Sequence, residues 1–427
     1  MIHESCRFPC IAPLVRIVTK GNESILANLS NGKWVRITNQ TLDCLKGNDL
    51  VAIKENLAEL VLPEEADEFV KVLLENEFLQ LSGGQTDFAK IAFFPHTAYL
   101  NVTDHCNLSC HHCYFGSHPG LGHGLSAVQL CRVLSSLREG GITNLVLSGG
   151  EPLSRPGIVR LLEHSCSLDF SEITLLTNGT IHNNYLVDAV VANVDKVHVS
   201  VDGPDEQSNA VLRGRGNFDR AIKGITRLKE AGVKNVQLVI SITSANISRM
   251  NEMQVLCDRL GVGLNTTIFS EVGRGSQYAY LKPTTKELIA YFGQTANSIV
   301  CGMDSESNST LDISAGVTCG AGTWMISVDC RGNVYPCHLL HQPDLIVGNL
   351  VSQPDLKTVL TQSAVINKFH HRTVENRRCH GCMVEYFCKG GCLAHTIAAS
   401  GDGERSWQNR DPFCEVHKEV LSIQLWP

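Results

Sequence analysis

Apolar and polar positions at the start of the chain follow the pattern of a small unit that joins strands to helices. Residues 14–18 and 34–37 are strand-like runs. Residues 51–60 and 63–79 repeat apolar positions with the period of a helix. A polar, glycine-containing stretch that is typical of a linker follows them. We therefore predict a first domain over residues 1–84.

Further along, strand-like runs alternate with helix-like runs. The predicted strands are 99–102, 144–147, 173–176, 196–201, 236–242 and 264–268, and the clearest helices are 125–139, 218–231 and 248–260. This alternation predicts an α/β fold with a parallel sheet and right-handed crossovers. Six such units fit either a doubly wound sheet or a barrel that does not close. In both architectures, functional groups lie at the carboxyl ends of the strands.

Beyond residue 301 the periodicity weakens, while cysteine, glycine and histidine become denser. We expect such a segment to bury little apolar surface and to depend on bound metal for its stability. The predicted domains are therefore 1–84, 92–300 and 301–427.

Composition argues against several classes of function. The 427 residues carry a formal net charge of −7, whereas a protein that binds a long nucleic acid usually presents a basic face. No window approaches the roughly 18 consecutive apolar residues that a membrane span needs. The first residues also lack the basic flank and apolar stretch of a signal peptide. We expect a cytoplasmic protein with no nucleic-acid or membrane partner.

The chain contains eighteen cysteines, and their placement indicates metal binding. In a large chain without an export signal, metal sites are favoured over disulfides. Cys106, Cys110 and Cys113 follow the first strand of the alternating region with Cys-x3-Cys-x2-Cys spacing. A structural zinc site or an ordinary four-iron cluster has four protein ligands. Three cysteines would leave one iron able to bind an outside ligand, and a zinc loop is the alternative.

The Cys-x3-Cys-x2-Cys motif resembles the signature of the radical S-adenosylmethionine (SAM) superfamily, whose members share a partial, TIM-like (β/α)6 barrel. The resemblance implies that these cysteines hold a [4Fe–4S] cluster whose free iron chelates SAM. Electron transfer from the cluster would then cleave SAM to a 5′-deoxyadenosyl radical. His112 stands where the family usually has an aromatic residue.

Glycine and polar residues recur where the predicted strands end, which is where such a barrel places its ligand contacts. Gly149, Gly150 and Glu151 resemble the family's motif for the SAM amino group, and paired glycines let a backbone approach closely. Arg213 resembles the arginine that relatives aim at the SAM carboxylate, with Arg215 as a competing candidate. The predicted SAM-binding residues are Gly149, Gly150, Glu151, Asn178, Ser200, Asp202 and Arg213.

The C-terminal cysteines resemble, at every spacing, the seven-cysteine SPASM extension of radical SAM enzymes that modify peptides and proteins. The resemblance implies two auxiliary [4Fe–4S] clusters, which brings the total to three. The outer cluster would be ligated by Cys379, Cys382, Cys388 and Cys414, and the inner one by Cys319, Cys337 and Cys392. Zinc knuckles are the alternative, since the Cys-x2-Cys pair at 379–382 alone fits one.

The inner set lacks the extra cysteine that some relatives carry, and Met325 occupies that position. The inner cluster could therefore keep an open iron for a substrate thiolate, with Cys330 as a weaker fourth ligand. Cys337 is followed by His338 rather than by the aspartate of sulfatase-maturating relatives, which argues against that activity. His338 is our candidate catalytic base. A surface position for it, or a role for His341, is the alternative.

The N-terminal strands and helices resemble, by architecture more than by motif, the winged-helix-like recognition element of enzymes that modify ribosomally made peptides (RiPPs). Such elements bind a leader peptide as an added strand at the sheet edge. Residues 34–38 are the predicted edge strand and residues 70–78 the predicted groove wall. A structural cap is the alternative.

These resemblances together imply a radical SAM maturase that acts on a precursor peptide and receives electrons from a donor such as flavodoxin or ferredoxin. It would install a thioether or a carbon–carbon cross-link. The alternatives are a radical SAM enzyme acting on a folded protein or a small molecule, and a non-catalytic iron–sulfur protein that binds peptides.

Overall fold

The computed structural model describes residues 10–47, 49–80, 93–295, 313–400 and 405–426. Its N-terminal part is a three-stranded antiparallel sheet followed by helices. The strands are β1 (Val15–Lys20), β2 (Glu23–Asn28) and β3 (Trp34–Thr38), in the order β1-β2-β3, and the helices are α1 (Asn39–Cys44), α2 (Leu50–Leu57) and α3 (Pro63–Glu75). The side chains of Thr38 and Asp49 accept backbone N–H groups three residues ahead, which fixes where α1 and α2 begin.

The middle strand β2 is buried on both faces, which explains why the sequence pattern predicted only its two neighbours. Leu26 faces the helices of the same unit, whereas Ile25 and Ala27 pack against the C-terminal region. Two residues of the predicted groove wall, Val70 and Phe78, belong to the unit's own core. The proposed wall is therefore wrong at these positions, because their side chains have no free face.

The N-terminal unit is attached to the C-terminal region through specific contacts. The indole Nε1 of Trp34 donates to the carbonyl of Ile313 at 2.6 Å, and its ring meets Phe387 edge-on at 5.8 Å. Arg16 Nε pairs with Glu375 Oε1 at 3.0 Å. The hydrophobic face of β2 continues into the same contact. The two regions therefore share one buried interface.

A nine-stranded sheet forms the body of the molecule, in the order β12-β11-β10-β4-β5-β6-β7-β8-β9. Six parallel strands alternate with helices as the sequence predicts, which confirms the partial-barrel fold. The strands are β4 (Thr97–Asn101), β5 (Asn144–Ser148), β6 (Glu172–Thr177), β7 (Lys196–Ser200), β8 (Asn235–Ile242) and β9 (Gly263–Ile268). The helices are α4 (Ala127–Glu139), α5 (Ile158–Ser167), α6 (Asn184–Asn193), α7 (Glu206–Arg213), α8 (Phe218–Glu230), α9 (Met250–Leu260) and α10 (Thr285–Thr295).

The C-terminal region adds its own strands to this sheet. β10 (Met325–Val328) pairs in parallel with β4, and β11 (Asn333–Tyr335) and β12 (Gly348–Asn349) follow antiparallel. Its helices are α11 (Leu356–Thr361), α12 (Ala364–His370), α13 (Glu385–Cys388), α14 (Leu393–Ser400) and α15 (Cys414–Leu425). Residues such as Val328, Val374 and Val416 are fully buried. The expectation that this segment buries little apolar surface is therefore wrong.

The strands of the barrel present alternate residues to its inside and outside. On β8, for example, Leu238 and Ile240 pack outward against the helices, while Val239 and Ser241 face a central cavity. Among the described helices, none has the length and apolar character needed to cross a bilayer.

Candidate active site

The inner faces of the barrel strands surround a cavity of about 410 Å3, near their carboxyl ends. Six cysteines line it, in two groups from distant parts of the chain. We call Cys106, Cys110 and Cys113 the first trio, and Cys319, Cys337 and Cys392 the inner trio. Among the described residues that form the wall, no Asp, Glu or Lys is found, and Arg213 supplies a fixed charge. Both trios therefore face the same largely uncharged space.

The first trio lies in the loop that follows β4. Burial raises the pKa of Cys106 to about 12, with smaller contributions from the nearby charges of Glu151, Cys110 and Cys113. The backbone N–H of Leu108 donates to Cys106 Sγ at 3.4 Å. The three thiols lie in one loop, and a backbone donor points at one of their sulfurs. This arrangement fits a metal cluster, whose iron would replace the thiol protons so that the cysteines bind as thiolates.

Two glycines after β5 allow the first trio's loop to pack against the sheet. A Cβ on Gly149 would lie 2.4 Å from the carbonyl oxygen of Thr103, and a Cβ on Gly150 would lie 2.1 Å from that of His105. Gly149 also has a φ of +134°, which L side chains rarely adopt. Both glycines line the cavity. The motif is thus needed for close packing of two loops, whatever else it binds.

Glu151, predicted to contact SAM, lies behind the cavity wall rather than in it. Its side chain is fully buried and its carboxylate accepts from Leu153 N at 3.0 Å, Thr177 Oγ1 at 2.8 Å and Asn178 N at 2.7 Å. Burial raises the pKa of Glu151, and these hydrogen bonds oppose the rise. In this geometry Glu151 braces the loops after β5 and β6.

Asp202 also lies behind the wall, where it holds Arg213. Its Oδ2 is 2.5 Å from Arg213 Nε and 3.2 Å from His112 Nε2, and its Oδ1 accepts from Ser241 N at 2.8 Å. Arg213 ends α7 and reaches the cavity, where its Nη1 lies 3.9 Å from Cys110 Sγ. Arg213 is therefore better placed than the competing candidate Arg215, which is exposed.

Asn178 and Ser200, two further predicted residues, line the cavity at the ends of β6 and β7. Asn178 Nδ2 donates to Asn107 Oδ1 at 2.8 Å, and Asn107 in turn donates to Thr180 Oγ1 at 2.8 Å. Sequence reasoning did not identify Asn107, although its position inside the cysteine motif was a usable signal. It links the first trio's loop to the end of β6.

The inner trio brings together cysteines that are up to 73 positions apart in the sequence. Burial raises the pKa of Cys337, and the charges of Cys392 and Cys319 add to the rise. Met325 is buried in the cavity wall. Cys330 lies outside that wall, against Gly124, where a Cβ would be 2.6 Å from its Sγ. The geometry gives no support to Cys330 as a fourth ligand.

The other four cysteines of the C-terminal motif form a separate group, which we call the outer quartet: Cys379, Cys382, Cys388 and Cys414. Burial raises the pKa of Cys388 to about 12, with smaller contributions from the other three members. No set of three or more His, Cys, Asp or Glu side chains among the described residues is arranged to hold a single metal ion. Four grouped thiols are the ligand set of a closed four-iron cluster.

His338 lies in the cavity wall between the two trios, so the alternative of a surface position is wrong. Its ring stacks on Tyr99 at 4.4 Å and meets Tyr114 edge-on at 5.7 Å. Burial, with a smaller contribution from His341, lowers the pKa of His338 to about 4. His341 lies outside the wall and stacks on Tyr335 at 4.2 Å. Both imidazoles are neutral at neutral pH.

Comparison with known proteins agrees with this geometry. Residues 100–254 match the sequence model of the radical SAM superfamily, and residues 319–383 match that of the SPASM iron–sulfur cluster-binding domain. The chain is a radical SAM protein with a SPASM domain. These two matches include the first trio and four of the seven C-terminal cysteines.

Curated relatives of this radical SAM protein differ in what they act on. The mycofactocin maturase MftC of Mycobacterium tuberculosis is 26% identical over 303 residues, which cover 69% of this chain and 77% of the relative. An AdoMet-dependent heme synthase of Methanosarcina barkeri is 25% identical over 346 residues, which cover 75% of this chain and 96% of the relative. At 25–26% identity, relatives with such different activities do not identify the substrate of this chain.

Solved structures share the fold. Streptococcus suis SuiB bound to S-adenosylmethionine superposes with a TM-score of 0.59 at 18% identity, and covers 95% of this chain and 100% of its own. The structure of anSMEcpe with bound AdoMet gives a TM-score of 0.61 at 17% identity, over 78% of this chain and 97% of its own. The match to SuiB thus extends over more of the chain.

Proposed function

We propose that this radical SAM protein is a maturase that installs a cross-link, as a thioether or a carbon–carbon bond, in a ribosomally made precursor peptide. One observation carries the proposal, namely that the first trio and the inner trio line the same cavity. A substrate residue in that cavity would touch both the radical-forming site and a second redox group. The alternative of a peptide-binding protein without catalysis does not require this shared space.

The first trio would hold a [4Fe–4S] cluster with one iron left for SAM, and this cluster would supply the electron that cleaves SAM. Around it, the chain's own residues bind and orient. The glycines at 149 and 150 leave room for SAM beside the strand ends. Arg213, held by Asp202, presents a guanidinium suited to a carboxylate. Asn178 and Ser200 add neutral polar contacts from the neighbouring strands.

The inner trio and the outer quartet would hold two auxiliary clusters, of which only the inner one borders the substrate space. With three cysteines and no further cysteine in the described wall beyond the two trios, the inner cluster would keep one iron open to a substrate thiolate. This favours thioether formation. His338, neutral and stacked on Tyr99, would contact the same substrate residue and could accept its proton.

The N-terminal unit would hold the leader part of the precursor. Among the described residues, β3 pairs with β2 on one side only, which leaves its other edge able to add a strand. The structure of SuiB bound to its precursor peptide SuiA covers 95% of this chain at a TM-score of 0.58, so the fold is one in which a peptide complex exists. An electron donor such as flavodoxin or ferredoxin would complete the system.

The proposal is tested by a search for a short, cysteine- or aromatic-rich open reading frame beside the gene and by co-expression of the peptide that it encodes. We expect each linkage to remove a pair of hydrogens from the peptide, measured by mass spectrometry, and the Cys106→Ala, Cys110→Ala, Cys113→Ala triple variant to abolish the change. Reconstituted protein should contain roughly twelve irons, from four in each of three clusters. An unchanged peptide mass alongside active SAM cleavage would exclude cross-linking and favour another substrate. Absence of SAM cleavage after reduction would support a non-catalytic role.

A further inference from the structure

Arg372, just after α12, is a buried cation between the inner trio and the outer quartet. Its side chain is 6% exposed, and its Nε donates to the carbonyl of Trp407 at 3.3 Å. Its two terminal nitrogens, Nη1 and Nη2, have no hydrogen-bond partner among the described residues. A guanidinium offers five N–H donors, so most of its capacity is unused. Such orphaned donors require an explanation.

The surroundings of Arg372 make its charge costly rather than stable. Burial lowers the pKa of Arg372 to about 10, with a smaller lowering contribution from the like charge of Arg377. Arg377 is no counter-charge, since it is a second cation and has no acceptor for the Arg372 N–H groups. Its own terminal nitrogens are satisfied by the carbonyls of Gly390 and Asn409. Arg372 is still protonated at neutral pH. A buried cation of this kind is tolerated when a counter-charge is close.

Cysteine sulfurs would supply negative charge here once they ligate iron as thiolates. The Arg372 guanidinium interacts electrostatically with Cys319 and Cys392 of the inner trio and with Cys379 of the outer quartet. Packing places it between the two auxiliary sites. Trp407, whose carbonyl accepts from Arg372, belongs to the same apolar cluster as the inner trio. Val374, two residues further along, packs with Cys379, Cys382 and Cys388 of the outer quartet. Thiolate-ligated iron–sulfur clusters are anionic, and their potentials depend on nearby charge and on hydrogen bonds to their sulfurs.

We propose that Arg372 is a positioning residue for electron transfer, whose terminal N–H groups point at the sulfurs of the auxiliary clusters and stabilise the reduced forms. Its counter-charge is the pair of clusters rather than any side chain. This inference depends on cluster binding at the SPASM cysteines, and it does not depend on which substrate the enzyme modifies.

Redox titration of the full-length protein tests the role directly. The Cys106→Ala, Cys110→Ala, Cys113→Ala background leaves only the auxiliary clusters, whose reduction is followed by electron paramagnetic resonance. We expect Arg372→Gln to lower the reduced-to-oxidised ratio at the parent midpoint at least tenfold, a shift of about 59 mV for one electron. Arg372→Lys keeps the charge and should stay close to the parent. Arg378→Gln, an exposed arginine next to Cys379, is the matched control.

Thermal unfolding is a second measurement, and its iron-free part remains available even if a variant fails to hold iron. In iron-free protein Arg372 lacks its counter-charge, so Arg372→Gln should raise the thermal midpoint, whereas in loaded protein it should lower it. A merely structural residue would destabilise both forms equally. That result, or an unchanged potential at full iron content, would overturn the proposal. If Arg372→Gln shifts the midpoint potential as expected but the parent enzyme does not modify the peptide, only the proposed maturase function is contradicted.

Discussion

The ion pair of Asp202 with Arg213 gives the sharpest test of how this site is held. Arg213 is 11% exposed and Asp202 fully buried, and the Nε–Oδ2 distance is 2.5 Å. Burial alone lowers the pKa of Arg213, but Asp202 and Cys110 more than offset it, so the net shift is upward. Asp202→Asn keeps the shape and the bond from Ser241 N, but it removes the counter-charge of the guanidinium.

The expected cost is large because Arg213 stays behind as an unpaired buried cation. Removing one partner of a buried pair typically costs about 3–5 kcal/mol. In a domain of 150–250 residues each kcal/mol lowers the thermal midpoint by about 2–4 °C, so we expect a fall of roughly 6–20 °C. Arg213→Met added to Asp202→Asn should recover part of that loss, since the two substitutions remove one interaction.

Differential scanning fluorimetry of iron-free protein measures this without interference from cluster loss. Glu252→Gln is the matched control, because Glu252 pairs with Arg249 in the same barrel but is 55% exposed. Exposed pairs contribute about 0–1 kcal/mol. The counter-charge role of Asp202 is refuted if Asp202→Asn shifts the midpoint no more than Glu252→Gln does. It is also refuted if the shift of the double variant equals the sum of the shifts of Asp202→Asn and Arg213→Met.

Three further predictions follow from single contacts. Gly150→Ala places a methyl group 2.1 Å from a backbone oxygen of the cysteine loop, so iron analysis should show loss of the first cluster while the auxiliary clusters remain. Trp34→Phe removes the donor to the Ile313 carbonyl and should cost about 1 kcal/mol in chemical unfolding, with no change in iron content. Cys330→Ala should retain all the iron that Cys337→Ala loses; equal iron loss from both would restore Cys330 as a ligand.

The barrel was predictable from sequence because the apolar residues of its strands and helices recur with the periods typical of each element. The predicted strand 196–201, for example, matches β7 to within one residue. The cysteine groups could be assigned from spacing by resemblance, and the structure places their members together. The strand β2 could not be found by alternation, because it is buried on both faces. The C-terminal core was missed for a similar reason, since its apolar residues are spread among short elements.

The direction of individual side chains was the part that sequence could not supply. Glu151 and Asp202 sit at the expected strand ends, yet both carboxylates turn away from the cavity. A motif gives the order of residues, but most partners that hold these carboxylates away from the cavity lie in distant elements, such as Thr177 for Glu151 and Arg213 for Asp202. The same holds for His338, whose stacking on Tyr99 joins residues 239 positions apart.

The pairing of β10 with β4 explains why the two trios share one cavity. β4 leads directly into the first trio's loop, while β10 is preceded by Cys319 and connected through β11 to Cys337. The two strands are joined in register from Met325 opposite Thr97 to Val328 opposite Leu100. The hydrogen bonds of this parallel pairing hold the two strands side by side, so the loops that carry the first trio and Cys337 start from neighbouring positions. The C-terminal region therefore extends the sheet of the barrel, and the pairing of β10 with β4 brings the inner trio to the cavity that the first trio lines.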